Sequence, residues 1–170
     1  VHGIVKDLNG TINVNSTLGK GTSFEIYLPV TKRKGVNRAK VEKNIALSGE
    51  ENILIIDDDE QIVNLIERIL SSKGISTHPF ISAKKGLEYI QNNINKLDLI
   101  ITDLIMPNIN GNKIYNEVNK LRKELPVIIL SGHGDKIIKE ELKDCEVDSI
   151  LKKPISKEEL LKEIGLVIQN

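Results

Sequence analysis

The chain has 170 residues and a mass of 19.0 kDa, room for one ordinary domain and a fragment but not for a large multidomain enzyme. Hydrophobic residues at 39% and charged residues at 28% exclude a disordered chain, and 24 basic against 24 acidic residues exclude a chain-wide basic footprint for nucleic acid. A single cysteine, Cys145, excludes an internal disulfide framework and a cysteine zinc site, and no apolar run approaches the roughly 18 residues of a membrane span.

The chain opens on Val1, with no initiator methionine and no signal-peptide pattern, so a piece of a longer protein is expected. Residues 1–30 are predicted to form a short helix and two strands. Ile4, Val5 and Leu8 are helix-spaced, and Asn9-Gly10 stops the helix. Thr11 to Val14 alternates in character, and Ser23 to Leu28 does so more clearly, with Phe24, Ile26 and Leu28 on one face. Leu18 to Thr22 makes a glycine turn between them. Three short elements cannot bury a core of their own, so this region is expected to be the tail of a larger domain. Residues 31–51 carry Lys32, Arg33, Lys34, Arg38, Lys40 and Lys43 with few large apolar residues, and read as a solvated linker.

From residue 52 onward strand and helix alternate. Short apolar runs at 53–56, 75–80, 99–101, 127–130 and 150–151 read as strands. The helices between and after them carry Ile62 to Leu70, then Ala83, Leu87 and Ile90, then Ile114, Val118 and Leu121. A fourth carries Ile137, Ile138 and Leu142, with Cys145 placed late in it. The last carries Leu160, Leu161, Ile164 and Val167, opened by Ser156 and Glu159 as a capping box. Strands apolar on both faces that alternate with helices predict an α/β fold, a doubly wound parallel sheet covered on both sides.

In such sheets ligands bind beyond the carboxyl ends of the strands. Those ends carry Asp57-Asp58-Asp59-Glu60, Thr102-Asp103, Ser131-Gly132 and Lys152-Lys153-Pro154. Crowded carboxylates resist joint ionisation, and a hard divalent cation such as Mg²⁺ resolves that. A carboxylate is also a nucleophile toward phosphorus, provided that cations and hydroxyls neutralise the phosphoryl oxygens. An acid run at a strand end is, taken alone, equally well explained as a helix N-cap. Four strand ends that agree are not.

On these segments residues 52–170 resemble a response-regulator receiver domain of two-component signalling. The matching pieces are Ile53 to Glu60, Asp103-Leu104-Ile105-Met106-Pro107 with Gly111, Ser131-Gly132, and Lys153-Pro154. The resemblance implies a flavodoxin-like sheet of five parallel strands in the order 2-1-3-4-5. It implies Asp103 as phosphoacceptor, with Ser131 and Lys153 engaging the phosphoryl group. It implies Mg²⁺ held by Asp57, Asp58, Asp103 and the backbone carbonyl of Ile105. Lys152 is expected to point away from the site, and His133 falls where the family controls loss of the phosphoryl group to water. Many receivers carry Tyr or Phe three residues before the active lysine; here Ile150 stands there.

Residues 1–30 resemble the end of a histidine-kinase ATP-binding domain, with Gly19 and Gly21 as the remnant of its last nucleotide-binding glycine box. The order of kinase tail, linker (31–51) and receiver (52–170) resembles a hybrid sensor histidine kinase. The partners this implies are a histidine-kinase dimerisation domain or a histidine-containing phosphotransfer protein. Neither nucleic acid nor membrane is expected as a partner of the fragment, and a cytoplasmic location is expected, with a parent that could be membrane-anchored. Two other readings remain at this point. One is a Mg²⁺-dependent phosphohydrolase with Asp57 as nucleophile, which leaves the Asp103 loop unexplained. The other is a degenerate receiver that only binds, against which the intact acidic, serine and lysine set speaks.

Overall fold

The computed structural model of the protein describes residues 5–6, 8–29, 47–143 and 145–169. His2, Ile4 and most of the basic linker lie outside the described residues. The chain divides into two compact units, Val1–Glu42 and Lys43–Asn170.

In the first unit, β1 (Thr11–Thr17) and β2 (Gly21–Tyr27) form an antiparallel hairpin that pairs Thr17 with Gly21 and Thr11 with Tyr27. Gly19 and Gly21 take φ of 76° and 108°, a left-handed turn that only glycine adopts freely. Val14 lies opposite Phe24 and Ile12 opposite Ile26, so the alternation does gather the apolar side chains on one face. That face is not covered by a further layer among the described residues: Phe24 is 64% exposed, and Val14, Ile26 and Leu28 are exposed with it. Upstream, the Gly10 amide donates to the Val5 carbonyl, and Asn9 has φ of 54°, a helix end where the sequence places one.

The second unit holds five parallel strands: β3 (Asn52–Ile56), β4 (Ser76–Phe80), β5 (Leu99–Asp103), β6 (Val127–Ser131) and β7 (Ser149–Lys152). Their order is β4-β3-β5-β6-β7, which is 2-1-3-4-5 counted from β3. Five helices connect or follow them: α1 (Glu60–Ser71), α2 (Ala83–Asn93), α3 (Gly111–Leu121), α4 (Asp135–Glu141) and α5 (Lys157–Ile168). Successive strand residues point to opposite faces, so the apolar runs feed two cores. Ile53, Ile55, Ile101 and Leu130 pack with Val63, Ile66 and Leu70 of α1 and with Leu160 and Ile164 of α5. Leu54, Ile56, Ile100 and Ile129 pack with Ile90 of α2, Ile114 and Val118 of α3 and Ile138 of α4. Pro79, which cannot donate to a ladder, sits on β4 at the sheet edge.

The elements stand close to where the sequence predicts them, with two differences. Ile75 is buried ahead of β4 and not within it. Helix α4 ends at Glu141, so Cys145 lies beyond it. Leu142 is the C-cap, with dihedrals of −107° and 15° that leave the helical region, and a turn bond joins the Cys145 amide to the Leu142 carbonyl. No glycine or proline marks this end, so the apolar spacing alone ran past it. No helix among the described residues is long and apolar enough to cross a membrane.

Candidate functional site

The sheet order reverses at β3, whose neighbours β4 and β5 leave in opposite directions, and the crevice beyond the strand ends collects the polar residues. The acid run that follows β3 splits into separate tasks. Asp59 is the N-cap of α1, and its carboxylate accepts the Gln61 amide at 2.9 Å. The helix-cap explanation therefore holds for Asp59 alone. Asp57 is wholly buried and Asp58 is exposed. Asp103 ends β5 and is buried. Carboxylate oxygens of Asp57, Asp58 and Asp103 lie within 4.8 Å of one another.

Lys153 closes the cluster. Its ammonium donates to Asp57 Oδ2 and Asp103 Oδ1, each at 2.6 Å. Its amide is held by the Ser131 carbonyl at 2.8 Å, which fixes the loop after β7 against β6. The Lys153-Pro154 peptide is cis. Lys152 turns away to an exposed ion pair with Asp135, as alternation along a strand requires. Burial pushes the Asp57 carboxyl up, and the nearby Asp103 charge adds to this; hydrogen bonds from Lys153 and the Asp59 amide oppose it without cancelling it. Burial pulls Lys153 down, but its bonds to Asp103 and Asp57 outweigh that and hold it above the ordinary lysine value.

The loop after β5 turns back on the phosphoacceptor position expected from sequence. The Ile105 amide donates to Asp103 Oδ2 at 3.0 Å. Gly111 opens α3 so close to the strand that a Cβ there would lie 2.4 Å from the Asp103 carbonyl oxygen. Ser131 ends β6 and is buried, and its hydroxyl oxygen accepts the His133 amide at 3.1 Å. A groove of about 290 Å³ opens beside Asp58, lined by Ser82, Lys84, Met106 and Pro107 among others. The structure thus brings together Asp57, Asp58, Asp103, Ile105 and Lys153, with Ser131 at the end of the neighbouring strand β6. Gly19 and Gly21 belong to the other unit. Sequence reasoning passed over Asn110 and Asn112, which flank Gly111 and both donate to Glu141. The alternating Asn108, Asn110 and Asn112 was the available signal.

Three carboxylates and one ammonium leave two formal negative charges in a crevice with hard oxygen donors only. That donor set fits a hard divalent cation.

Residues 53–165 match the family model described as the response regulator receiver domain. The sensor kinase CckA of Brucella abortus is 30% identical over 168 residues, which is 94% of this chain and 18% of that protein. The transcriptional regulatory protein GlrR of Escherichia coli is 34% identical over 113 residues, 66% of this chain and 25% of that protein. The chain thus spans a quarter or less of the length of these relatives. A solved receiver-domain structure from Clostridium thermocellum superimposes with a TM-score of 0.66 at 32% identity, covering 71% of this chain and 95% of that one. The matched span is most of the chain, and the crevice residues fall within it: the chain belongs to the response regulator receiver domain family and carries a receiver of two-component phosphorelay signalling.

Proposed function

We propose that Asp103 is the phosphoacceptor of a Mg²⁺-dependent receiver that takes its phosphoryl group from a phosphohistidine. The observation that carries this is the buried Asp103 carboxylate held at 2.6 Å by Lys153 within an acidic cluster. An Asp103 oxygen attacks phosphorus in line, forming a P–O bond as the P–N bond to imidazole breaks, and the electron pair leaves on the ring nitrogen. Lys153 stands ready to follow a phosphoryl oxygen, since one of its two contacts is to the attacking group. The Ile105 amide orients the Asp103 carboxylate through its second oxygen. Ser131, whose oxygen accepts the His133 amide, donates its hydroxyl proton to the phosphoryl group. Asp57, Asp58, Asp103 and the Ile105 carbonyl would hold Mg²⁺, which when bound neutralises charge on the transferring oxygens.

The domain reading extends this. Residues 1–30 are the end of a histidine-kinase ATP-binding domain, 31–51 a linker and 52–170 the receiver of a hybrid histidine kinase. The similarity to CckA, named a sensor kinase, runs over nearly the whole chain, whereas that to GlrR covers 113 residues. The uncovered apolar face of the hairpin also suits a domain edge that packs on further elements. The phosphodonor is then a kinase dimerisation domain or a histidine-containing phosphotransfer protein. Incubation with acetyl phosphate and Mg²⁺ should add the mass of one phosphoryl group, and chelation with EDTA should prevent it. Labelling that is indifferent to EDTA would remove the metal from the account.

A further inference from the structure

Helix α3 starts against the backbone of Asp103. Besides the close approach of Gly111 to the Asp103 carbonyl, the Gly111 amide donates to the Leu104 carbonyl at 2.8 Å. Any shift of the first turn of α3 therefore shifts the backbone that carries Asp103. The residues on either side of Gly111 both reach helix α4. Asn110 Nδ2 donates to Glu141 Oε2 at 3.1 Å. Asn112 Nδ2 donates to the same oxygen at 3.2 Å and to the Glu141 carbonyl at 3.1 Å. Glu141 is the last residue of α4.

Two local preferences are broken at this contact. Asn110 occupies the N-cap of α3 with extended dihedrals, yet its side chain caps no amide of its own helix. Asn112 Oδ1 is buried without a hydrogen-bond partner. Residues that forgo local satisfaction mark places where something other than helix stability is served. Helix α4 itself is seven residues long, buries only Ile138, and follows a loop whose Gly132 and Gly134 have open space around them. So lightly packed an element is of the kind that opens and shifts at low cost. Against that background a charge-assisted contact serving two donors is a large part of what fixes it.

We propose that Glu141 is a positioning residue that couples helix α4 to Asp103 through Asn110, Gly111 and Asn112. Loading Asp103 thereby changes the state of α4, and the signal leaves through its C-terminal end as well as through the Ser131 loop. The inference rests on Asp103 being the phosphoacceptor.

The test is hydrogen exchange over residues 135–141 of the full chain, with Mg²⁺, with and without beryllofluoride as a phosphoryl mimic. Acetyl phosphate labelling of each variant is measured first. In the wild type, exchange in α4 should change by about 5-fold or more, the low end of allosteric coupling. In Glu141→Ala the change should shrink below about 2-fold while Asp103 is still labelled. Glu141→Gln, which keeps an acceptor oxygen, should retain part of the response. Asn110→Ser separates coupling from stability: serine is a good N-cap but too short to reach Glu141, so thermal stability should be kept and the α4 response reduced. It also decides the matter if Glu141→Ala does not fold. An undiminished response in Asn110→Ser, or a wild-type α4 that ignores a loaded Asp103, overturns the proposal. A wild type that takes no label at all fails the phosphoacceptor reading first, and the coupling with it.

Discussion

At the scale of single residues, adjacent lysines at one strand end do different things. Lys153 bridges two buried carboxylates, while Lys152 makes an exposed pair with Asp135. Lys153→Arg keeps the charge but replaces a compact ammonium with a planar fork, which does not fit between two oxygens at 2.6 Å. It should slow acetyl phosphate labelling by about tenfold or more, whereas Lys152→Ala should stay within about twofold. Equal losses would mean that the two positions are exchanged. Glu51 gives a second test, at the opposite end of the sheet. It is only 8% exposed and accepts the Ser48 amide and hydroxyl and the Gly49 amide. Burial pushes its carboxyl up, but these bonds prevail and hold it below the ordinary glutamate range. A carboxyl lowered on folding stabilises fully above its unfolded pKa and loses that contribution as pH falls through the folded value. Glu51→Gln should therefore cost about 1–3 kcal/mol at neutral pH. Urea unfolding should show the difference closing as both proteins are taken below the carboxylate range; a gap that persists in acid would mean packing, not charge, is lost. The chemistry of the acid run was legible only in part. Its composition announced a site, but the assignment of Asp59 to a helix cap and Asp57 to burial depends on backbone direction after β3.

Among the elements, the strands were the most legible, because runs such as Ile53 to Ile56 are apolar toward both faces and each face found its own core. The capping box at Ser156 and Glu159 likewise appears as its spacing implies. The end of α4 was not legible: Leu142 to Glu146 contains no glycine or proline, yet Leu142 already leaves the helical region. The Asn110–Glu141 contact was hidden because it joins residues 31 apart in sequence on different elements. Gly111 is where one element constrains the site most sharply. Its Cβ position is blocked by backbone, at 2.4 Å from the Asp103 oxygen and 3.2 Å from the Asp103 carbonyl carbon, and backbone cannot yield as a flexible side chain can. Gly111→Ala should destabilise the fold by about 1–3 kcal/mol through overpacking, and it should slow labelling by moving Asp103. A Gly111→Ala protein with wild-type melting and labelling would show that α3 can shift without the strand.

For the molecule as a whole, alternation of strand and helix fixed the class, and the family's order 2-1-3-4-5 is the order found. That order turns four separate sequence segments into one crevice, which no single segment could have shown. The first unit was legible as a helix end and hairpin. The proposal that it is the end of a kinase domain rests on the glycine turn, on the uncovered face with Phe24 and on the span of similarity to CckA. In the proposed chemistry the phosphoryl group goes to Asp103 and to no other carboxylate in the cluster. An acyl phosphate is reduced by borohydride to the alcohol, which converts a phosphorylated aspartate to homoserine. The chain should therefore be labelled with acetyl phosphate and Mg²⁺, reduced, digested and mapped by mass spectrometry. Homoserine at position 103, with Asp57 and Asp58 unmodified, is the expected result; homoserine at 57 or 58, or a labelled chain with Asp103 intact, would contradict the account.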